Sequence, residues 1–302
     1  MIDRVEFYNA KKLWDKAYSK QLLKGPFFQY DWHRIWFETL GTDYAPLTLV
    51  FEDGVVLPLA QKEDVVIFSG GDETTDYNDA VGDENLKGRA WEDAVKFLKN
   101  NGIKKIQLRN LPEGSSKKYF DSIDAKVEKE DSTPLFSLPD SWDVYLMSLK
   151  RKWRKELKRK VNNFHRDNEI VVYEEKGSID CLIGLMKKNP DKVEFFERPG
   201  MEEYFRSIYE AFKSQARLEC VSVSGELAAT IYYFVTEDSY LLYNSGFDKS
   251  KYDSAGFYLK AMNVKRAIEE GMKEYNFLQG EERYKYELGG QDFFVYKVNF
   301  DL

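Results

Sequence analysis

The run Asn244-Ser-Gly-Phe-Asp-Lys-Ser-Lys-Tyr-Asp-Ser-Ala-Gly256 lies in the middle of the stretch 225–289, and the reading of that stretch decides the fold. Ahead of it sits a meander. Arg217 to Ser224 alternates apolar and polar residues, Ser224-Gly225-Glu226 makes a turn, and Leu227 to Val235 reads as a second strand. Thr236-Glu-Asp-Ser239 turns again, and Tyr240 to Asn244 is a third strand. Behind the run comes a helix with apolar residues at Phe257, Ala261, Val264 and Ile268, stopped by Gly271 and followed by a strand, Tyr275 to Leu278. A Gly/Ser loop opening a helix offers backbone N–H groups and the positive end of the helix dipole, which is the physical recipe for holding a phosphate. The plainer alternative is that Ser254 caps the helix and Gly256 relieves crowding.

Composition narrows what surrounds this loop. In 302 residues, 43% are hydrophobic and 16% aromatic, enough to bury a core, so a disordered chain is excluded. A net charge of −7 argues against coating nucleic acid with the whole surface. The N-terminus Met-Ile-Asp-Arg-Val-Glu-Phe has no signal-peptide pattern, and no apolar run reaches the roughly 20 residues that span a bilayer. Cys181 and Cys220 have no metal or redox spacing and read as buried thiols, which predicts a soluble, cytoplasmic protein. With only His33 and His165, neither a His-rich metal site nor a catalytic triad is expected.

The order of elements recurs upstream. Residues 3–24 carry helical periodicity, Gly25-Pro26 breaks it, and Asp31 is placed to cap a second helix through Trp32 and Trp36. Pro46–Phe51, Val55–Ala60 and Val65–Ser69 then read as strands, with Asp53-Gly54 as a hairpin turn. The loop Gly70-Gly-Asp-Glu-Thr-Thr-Asp-Tyr-Asn-Asp79 leads to a helix ended by Gly102 and a strand Lys105–Arg109. Gly54 and Gly225 are 171 residues apart, and Gly102 and Gly271 are 169 apart. The near-constant offset predicts a duplication, although hairpins followed by a helix also recur by chance. Between the copies, Asp131-Ser-Thr-Pro134 and Leu138-Pro139 mark a boundary, giving domains of 1–137 and 138–302. Asp140 or Ser141 then caps one long helix whose apolar line is Leu149, Trp153, Leu157, Val161 and Phe164. Its other faces carry Lys150, Arg151, Lys152, Arg154, Lys155, Lys158, Arg159 and Lys160. Another helix runs from Met201 to Lys213, and the chain ends in an alternating strand, Phe293 to Phe300.

Read in order, several short pieces resemble the GNAT acyltransferase superfamily, and more closely the CelD-type acetyltransferases of polysaccharide biosynthesis, relatives of the Fem peptidyltransferases. The pieces are Pro26-Phe-Phe-Gln-Tyr-Asp-Trp32 with Trp36 and Gly41, Thr75-Asp-Tyr-Asn-Asp79, Leu138-Pro139, and Gly225-Glu-Leu-Ala-Ala229. They continue with Ser245-Gly-Phe-Asp248, Ser254-Ala-Gly256 and Gly280-Glu-Glu-Arg-Tyr-Lys285. The resemblance implies an α+β protein of two tandem GNAT-like domains, each a mixed, mostly antiparallel sheet flanked by helices. It implies acetyl-CoA or another acyl-CoA as co-substrate, no metal, and a sugar-containing or cell-envelope precursor as acceptor. Of the fuller phosphate loop of many such enzymes only Lys249-Ser250 and Ser254-Ala255-Gly256 remain, and Fem relatives use aminoacyl-tRNA instead.

Acyl transfer from a thioester needs orientation, removal of a proton from the nucleophile, an oxyanion partner and a proton for the departing thiolate. Lys249, Ser254, Ala255 and Gly256 are the expected donor-binding residues. Asp76 and Asp79, two close carboxylates, are candidate bases, with Tyr77 beside them toward substrate; the competing reading is an Asx-turn and a helix cap. By resemblance, Tyr284 would protonate the thiolate and Lys285 would sit near a substrate phosphate, with Glu282 a further candidate. On the basic helix, Arg154 and Arg159 are chosen as substrate contacts because guanidinium grips phosphate in bidentate fashion. That helix also reads as a plain solvated face, a tRNA contact or a membrane surface. The readings are therefore direct acyl transfer from acyl-CoA, Fem-like transfer from charged tRNA, and a non-catalytic scaffold for an anionic partner.

Overall fold

A computed structural model describes residues 1–52, 54–174, 178–252 and 254–302; Asp53 of the expected turn and Asp253 of the expected loop lie outside them. The chain forms two compact units, Met1–Ser132 with Phe293–Leu302, and Thr133–Asp292.

The first unit runs β1 (Ile2–Val5), α1 (Lys11–Ser19), α2 (Tyr30–Thr39), β2 (Ala45–Phe51), β3 (Val55–Lys62), β4 (Val65–Phe68), β5 (Val81–Gly82), α3 (Glu84–Asn100), β6 (Lys105–Pro112), α4 (Lys117–Asp121) and β7 (Lys126–Ser132). The second runs β8 (Leu135–Ser137), α5 (Trp142–Ser148), α6 (Arg151–Asp167), β9 (Ile170–Glu174), α7 (Ile179–Met186), α8 (Pro190–Glu197), α9 (Met201–Ala211), β10 (Ala216–Val223), β11 (Glu226–Val235), β12 (Ser239–Phe247), α10 (Ala255–Glu269), β13 (Glu274–Asn276) and α11 (Arg283–Glu287). The last strand is β14 (Phe294–Asp301).

Both units repeat one scheme, as the offset predicts. In the first, the sheet order is β1-β2-β3-β4-β6-β14-β7, with β5 on β3; in the second it is β8-β13-β12-β11-β10-β9. The meander strands pair antiparallel, and the strand after the helix then pairs parallel with the third meander strand, β6 on β4 and β13 on β12. Each unit is thus a mixed, mostly antiparallel sheet with flanking helices, a GNAT-like fold. The alternation of the strands and the stripe of each helix supply the two cores, around Leu57, Trp91 and Leu108 in one, and Ile231, Leu259 and Tyr275 in the other.

The structure departs from the expectations in four places. Residues 3–24 are not one helix, because Ile2–Val5 pairs antiparallel with β2. Asp31 lies in the first turn of α2, ion-paired with Arg34 and Lys11, and Gln29 occupies the cap position. The expected single basic helix is two: Ser141 caps α5 by accepting from the Val144 N–H at 3.3 Å, and Leu149 and Lys150 then adopt extended ψ values of 143° and 137°. Finally, β14 enters the first sheet between β6 and β7, so the last ten residues join the first unit rather than an unbroken 138–302 domain. A strand's alternation shows that it pairs, not with which sheet.

Candidate functional site

In the second unit, β12 and β13 stay paired for three residues only, Ser239–Leu241 against Glu274–Asn276. Beyond them β12 continues to Phe247 alongside β11, with Tyr243 as an extra residue in the register, and the chain enters the loop toward α10. Asp248 organises this loop. Its carboxylate accepts from Ser250 Oγ at 2.6 Å and from the Lys251 N–H at 3.3 Å, and it pairs with Lys188 at 2.7 Å. Lys188 and Ser250 hold its pKa down at about 2, so the carboxylate is charged throughout the physiological range.

Between this loop and the C-terminal half of α6 lies a cavity of about 440 Å³ with mostly polar walls. Arg159, Lys160, Asn163 and Asp167 face it from α6, and Lys251, Tyr252 and Ser254 from the loop. Its volume is in the range of small-molecule sites, roughly 300–1,000 Å³. Arg159 is held bidentate by Glu156 at 2.7 and 3.0 Å, Lys160 pairs with Glu287 at 3.2 Å, and Lys251 with Glu226 at 3.0 Å. These pairs orient the cations while leaving them at the cavity wall.

Two of the expected residues, Arg159 and Ser254, therefore meet in one cavity. Ser254 stands at the N-cap of α10 but makes no side-chain capping bond, which removes the plainer reading of that residue. Ala255 is in the core, and Gly256 is accounted for by packing, since a Cβ there would lie 2.8 Å from the Phe247 ring. The allowance for backbone approach to a ligand is not what this glycine needs. Lys249 is exposed on the loop. Arg154 lies off the cavity, where its guanidinium reaches the Met147 carbonyl at 3.4 Å and sulfur at 3.3 Å.

The second cluster forms where β13 ends. Leu278 turns the chain with φ +56° and Gly280 with φ +116°. Lys285 is buried, and its ammonium donates to the Leu278 and Gln279 carbonyls at 3.0 and 2.6 Å and to Glu282 at 2.9 Å. All three hydrogens are thus used in bracing the turn, and a contact with a substrate phosphate would require one to be released. Glu282 is itself exposed and serves as that partner. Tyr284 is half-buried, edge-on to Phe277 at 6.1 Å; burial, and then the charge of Glu282, push its phenol well above the usual tyrosine value.

The sequence reading missed Lys260. It lies on α10 one turn past Gly256, only 4% exposed, with its ammonium 4.5 Å from the Tyr284 ring centroid and 5.6 Å from that of Phe247. No hydrogen bond or ion pair holds it among the described residues. Burial pulls its pKa down to about 8, against the pull of Glu282 and with the help of Lys285. The available signal was a lysine inside the apolar stripe between Phe257 and Val264.

In the first unit, the loop after β4 is filled by its own side chains. Trp32 Nε1 donates to Thr75 Oγ1 at 2.8 Å, Thr75 donates to the Gly70 carbonyl at 2.7 Å, and Asn110 donates to the Asp72 and Thr75 carbonyls at 2.8 Å each. Tyr77 is buried edge-on to Phe27 and Phe293, and Asp76 is half-buried. Asp79 accepts from Lys87 at 2.7 Å and from the N–H groups of Ala80 and Ser116 at 2.8 and 3.2 Å. It reaches the wall of a cavity of about 250 Å³ with Glu84, Glu113 and Lys118, but as the committed partner of a buried ammonium. A carboxylate so engaged is poorly placed to act as a base.

Residues 151–286 match the family model of the acetyltransferase (GNAT) domain, within the second unit. No curated protein matches the chain significantly. Among solved structures, FemX is similar at a TM-score of 0.65 and 11% identity, covering 100% of this chain and 97% of that one. A C-terminal domain named for a lysylphosphatidylglycerol synthetase from Agrobacterium fabrum gives 0.64 and 11%, covering 97% and 92%. A tandem GNAT protein from the clavulanic acid biosynthesis pathway gives 0.56 and 9%, covering 100% and 98%. At such identities the likeness is one of fold, and it extends over both units. Among the described residues, no helix is long and apolar enough to cross a membrane.

Proposed function

We propose that the second unit is an acyltransferase whose donor is held by its phosphates in the cavity between α6 and the 248–254 loop. The observation that carries this reading is the convergence of Arg159, Lys160, Lys251 and Ser254 on one polar cavity beside the N-terminus of a 15-residue helix. Cations, a hydroxyl and a helix dipole then act on the same anionic group. The donor is acyl-CoA, and the acceptor is an amine or hydroxyl of a sugar-containing or cell-envelope precursor.

In this reading the nucleophile attacks the thioester carbonyl directly, with no acyl-enzyme, since Cys220 is buried against Thr230 and Cys181 lies away from the cavity walls. The C–N or C–O bond forms, the C–S bond breaks, and the nucleophile's proton passes to water. Tyr284, protonated at neutral pH as any phenol is, gives its proton to the departing thiolate and recovers one from solvent, its burial making it a weaker acid in the resting site. Lys260 supplies positive charge for the oxyanion, because no ion pair or hydrogen bond engages its ammonium among the described residues.

A second reading replaces acyl-CoA by aminoacyl-tRNA, which offers the same cavity the phosphodiesters that precede its acylated 3′-terminal ribose. The likeness to FemX favours it. Calorimetry with acetyl-CoA and with bare tRNA separates the two: binding of acetyl-CoA supports the first, salt-sensitive binding of tRNA alone supports the second, and silence for both overturns the transferase reading.

A further inference from the structure

The cavity uses the C-terminal half of α6, and the outward face of its N-terminal half remains unexplained. Arg151, Lys155 and Lys158 recur at helical spacing on the outward face, flanked by Lys150 and Lys152, and these five cations have no ion-pair partner among the described residues. In a chain of net charge −7, with most other exposed lysines and arginines of the second unit in ion pairs, the concentration is local. Beside it α5 projects Val144, 55% exposed, and Met147, 69% exposed, three residues apart on one face. Arg154 of α6 touches the carbonyl and sulfur of Met147, which ties the apolar pair to the basic face.

We infer that the α5–α6 corner is a docking surface for an anionic lipid bilayer, with Val144 and Met147 entering the headgroup boundary and the α6 cations lying over the lipid phosphates. Charge alone would suit a nucleic acid equally well. The protruding aliphatic side chains decide between them, because they gain nothing against a sugar–phosphate backbone and gain hydrophobic burial in the interface. Each lysine or arginine near an anionic surface strengthens adsorption by about fivefold, and the attraction decays within roughly 8 Å at physiological salt, so cations on one face act together. The inference is independent of which donor the cavity holds.

The test is co-sedimentation of the full chain with vesicles of phosphatidylcholine alone and of phosphatidylcholine mixed equally with phosphatidylglycerol. The expected result is binding to the mixed vesicles only, weakening as salt is raised. The variant R151Q/K152Q/K155Q/K158Q should reduce partitioning by at least about a hundredfold. V144S/M147S should reduce it by about tenfold or more while leaving the thermal transition in place. Absence of binding to the mixed vesicles overturns the inference. So does binding to the mixed vesicles that is unchanged in V144S/M147S, which marks electrostatic adsorption without insertion, or binding that is unchanged in R151Q/K152Q/K155Q/K158Q.

Discussion

Two buried lysines on corresponding helices of the two units have opposite surroundings. Lys87, in the first turns of α3, faces Asp79 at 2.7 Å and Glu84 at 2.5 Å. Lys260, on α10, faces the rings of Phe247 and Tyr284; no ion pair holds it among the described residues, and the charge of Glu282 acts on it without a hydrogen bond. Burial pulls both pKa values down, but at Lys87 the two carboxylates outweigh it and the value ends above the usual one, whereas at Lys260 it falls to about 8. The loops before these helices differ in the same sense, the first packed with its own Thr75, Tyr77 and Asn78 and reaching its smaller cavity only through the paired Asp79, the second bordering the larger polar cavity with Lys251, Tyr252 and Ser254. One copy of the fold has spent its loop and lysine on its own stability, and the other has left both uncompensated. That contrast is why we place the chemistry in the second unit.

The largest expected effect is at the satisfied lysine. Lys87→Met leaves Asp79 and Glu84 without their ammonium and should destabilise the protein by about 3–5 kcal/mol in denaturant unfolding. Lys260→Met should act with the opposite sign. Because its folded pKa lies below the unfolded value, the unfolded state binds more protons between about pH 8 and 10.5, and stability rises with pH across that window. At pH 7 the variant should be more stable than the wild type by roughly 1–3 kcal/mol, with the advantage vanishing above the window and with slower acyl transfer throughout. Matched unfolding curves of the two proteins from pH 7 to 11 measure this, and equal or lower stability of the variant at pH 7 contradicts an uncompensated Lys260.

A smaller effect concerns Gly256. The Cβ of Gly256→Ala meets the Phe247 ring and should cost about 1–3 kcal/mol. Adding Phe247→Leu should recover most of this, together with any lost donor affinity; recovery of neither means that the glycine serves the ligand directly. The smallest effect is at Ser254, which makes no capping bond. Ser254→Ala should therefore change stability by less than about 0.5 kcal/mol, where a working cap is worth about 1, while weakening the donor measurably. A full capping loss in thermal unfolding would make the residue structural after all.

The repeat was legible because hairpin turns and apolar periods are local, and Gly54 and Gly225 mark the same corner of the two meanders. The destination of β14 was not, since pairing partners far apart in sequence leave no local trace. The break at Leu149–Lys150 was hidden by a cationic and apolar pattern that continues through it. In the site, Ser254, expected at the donor, and Arg159, expected at the substrate, line one cavity, a meeting that no sequence pattern shows; the engagement of Asp79 is equally hidden, because its partner Lys87, eight residues on, looks like any surface lysine in a sequence. Lys260 was missed for the same reason. Whether a buried ammonium is compensated depends on side chains brought from other elements, here Phe247 and Tyr284.

The claim that donor phosphates occupy the second unit's cavity is tested most directly by titrating acetyl-CoA, or tRNA if acetyl-CoA is silent, into three proteins by calorimetry. They are the wild type, Arg159→Glu/Lys251→Glu in the second-unit cavity, and Lys118→Glu in the first-unit cavity. The account predicts one site per chain, abolished in the second protein and intact in the third. Unchanged affinity after the double charge reversal, or loss on Lys118→Glu alone, would contradict it.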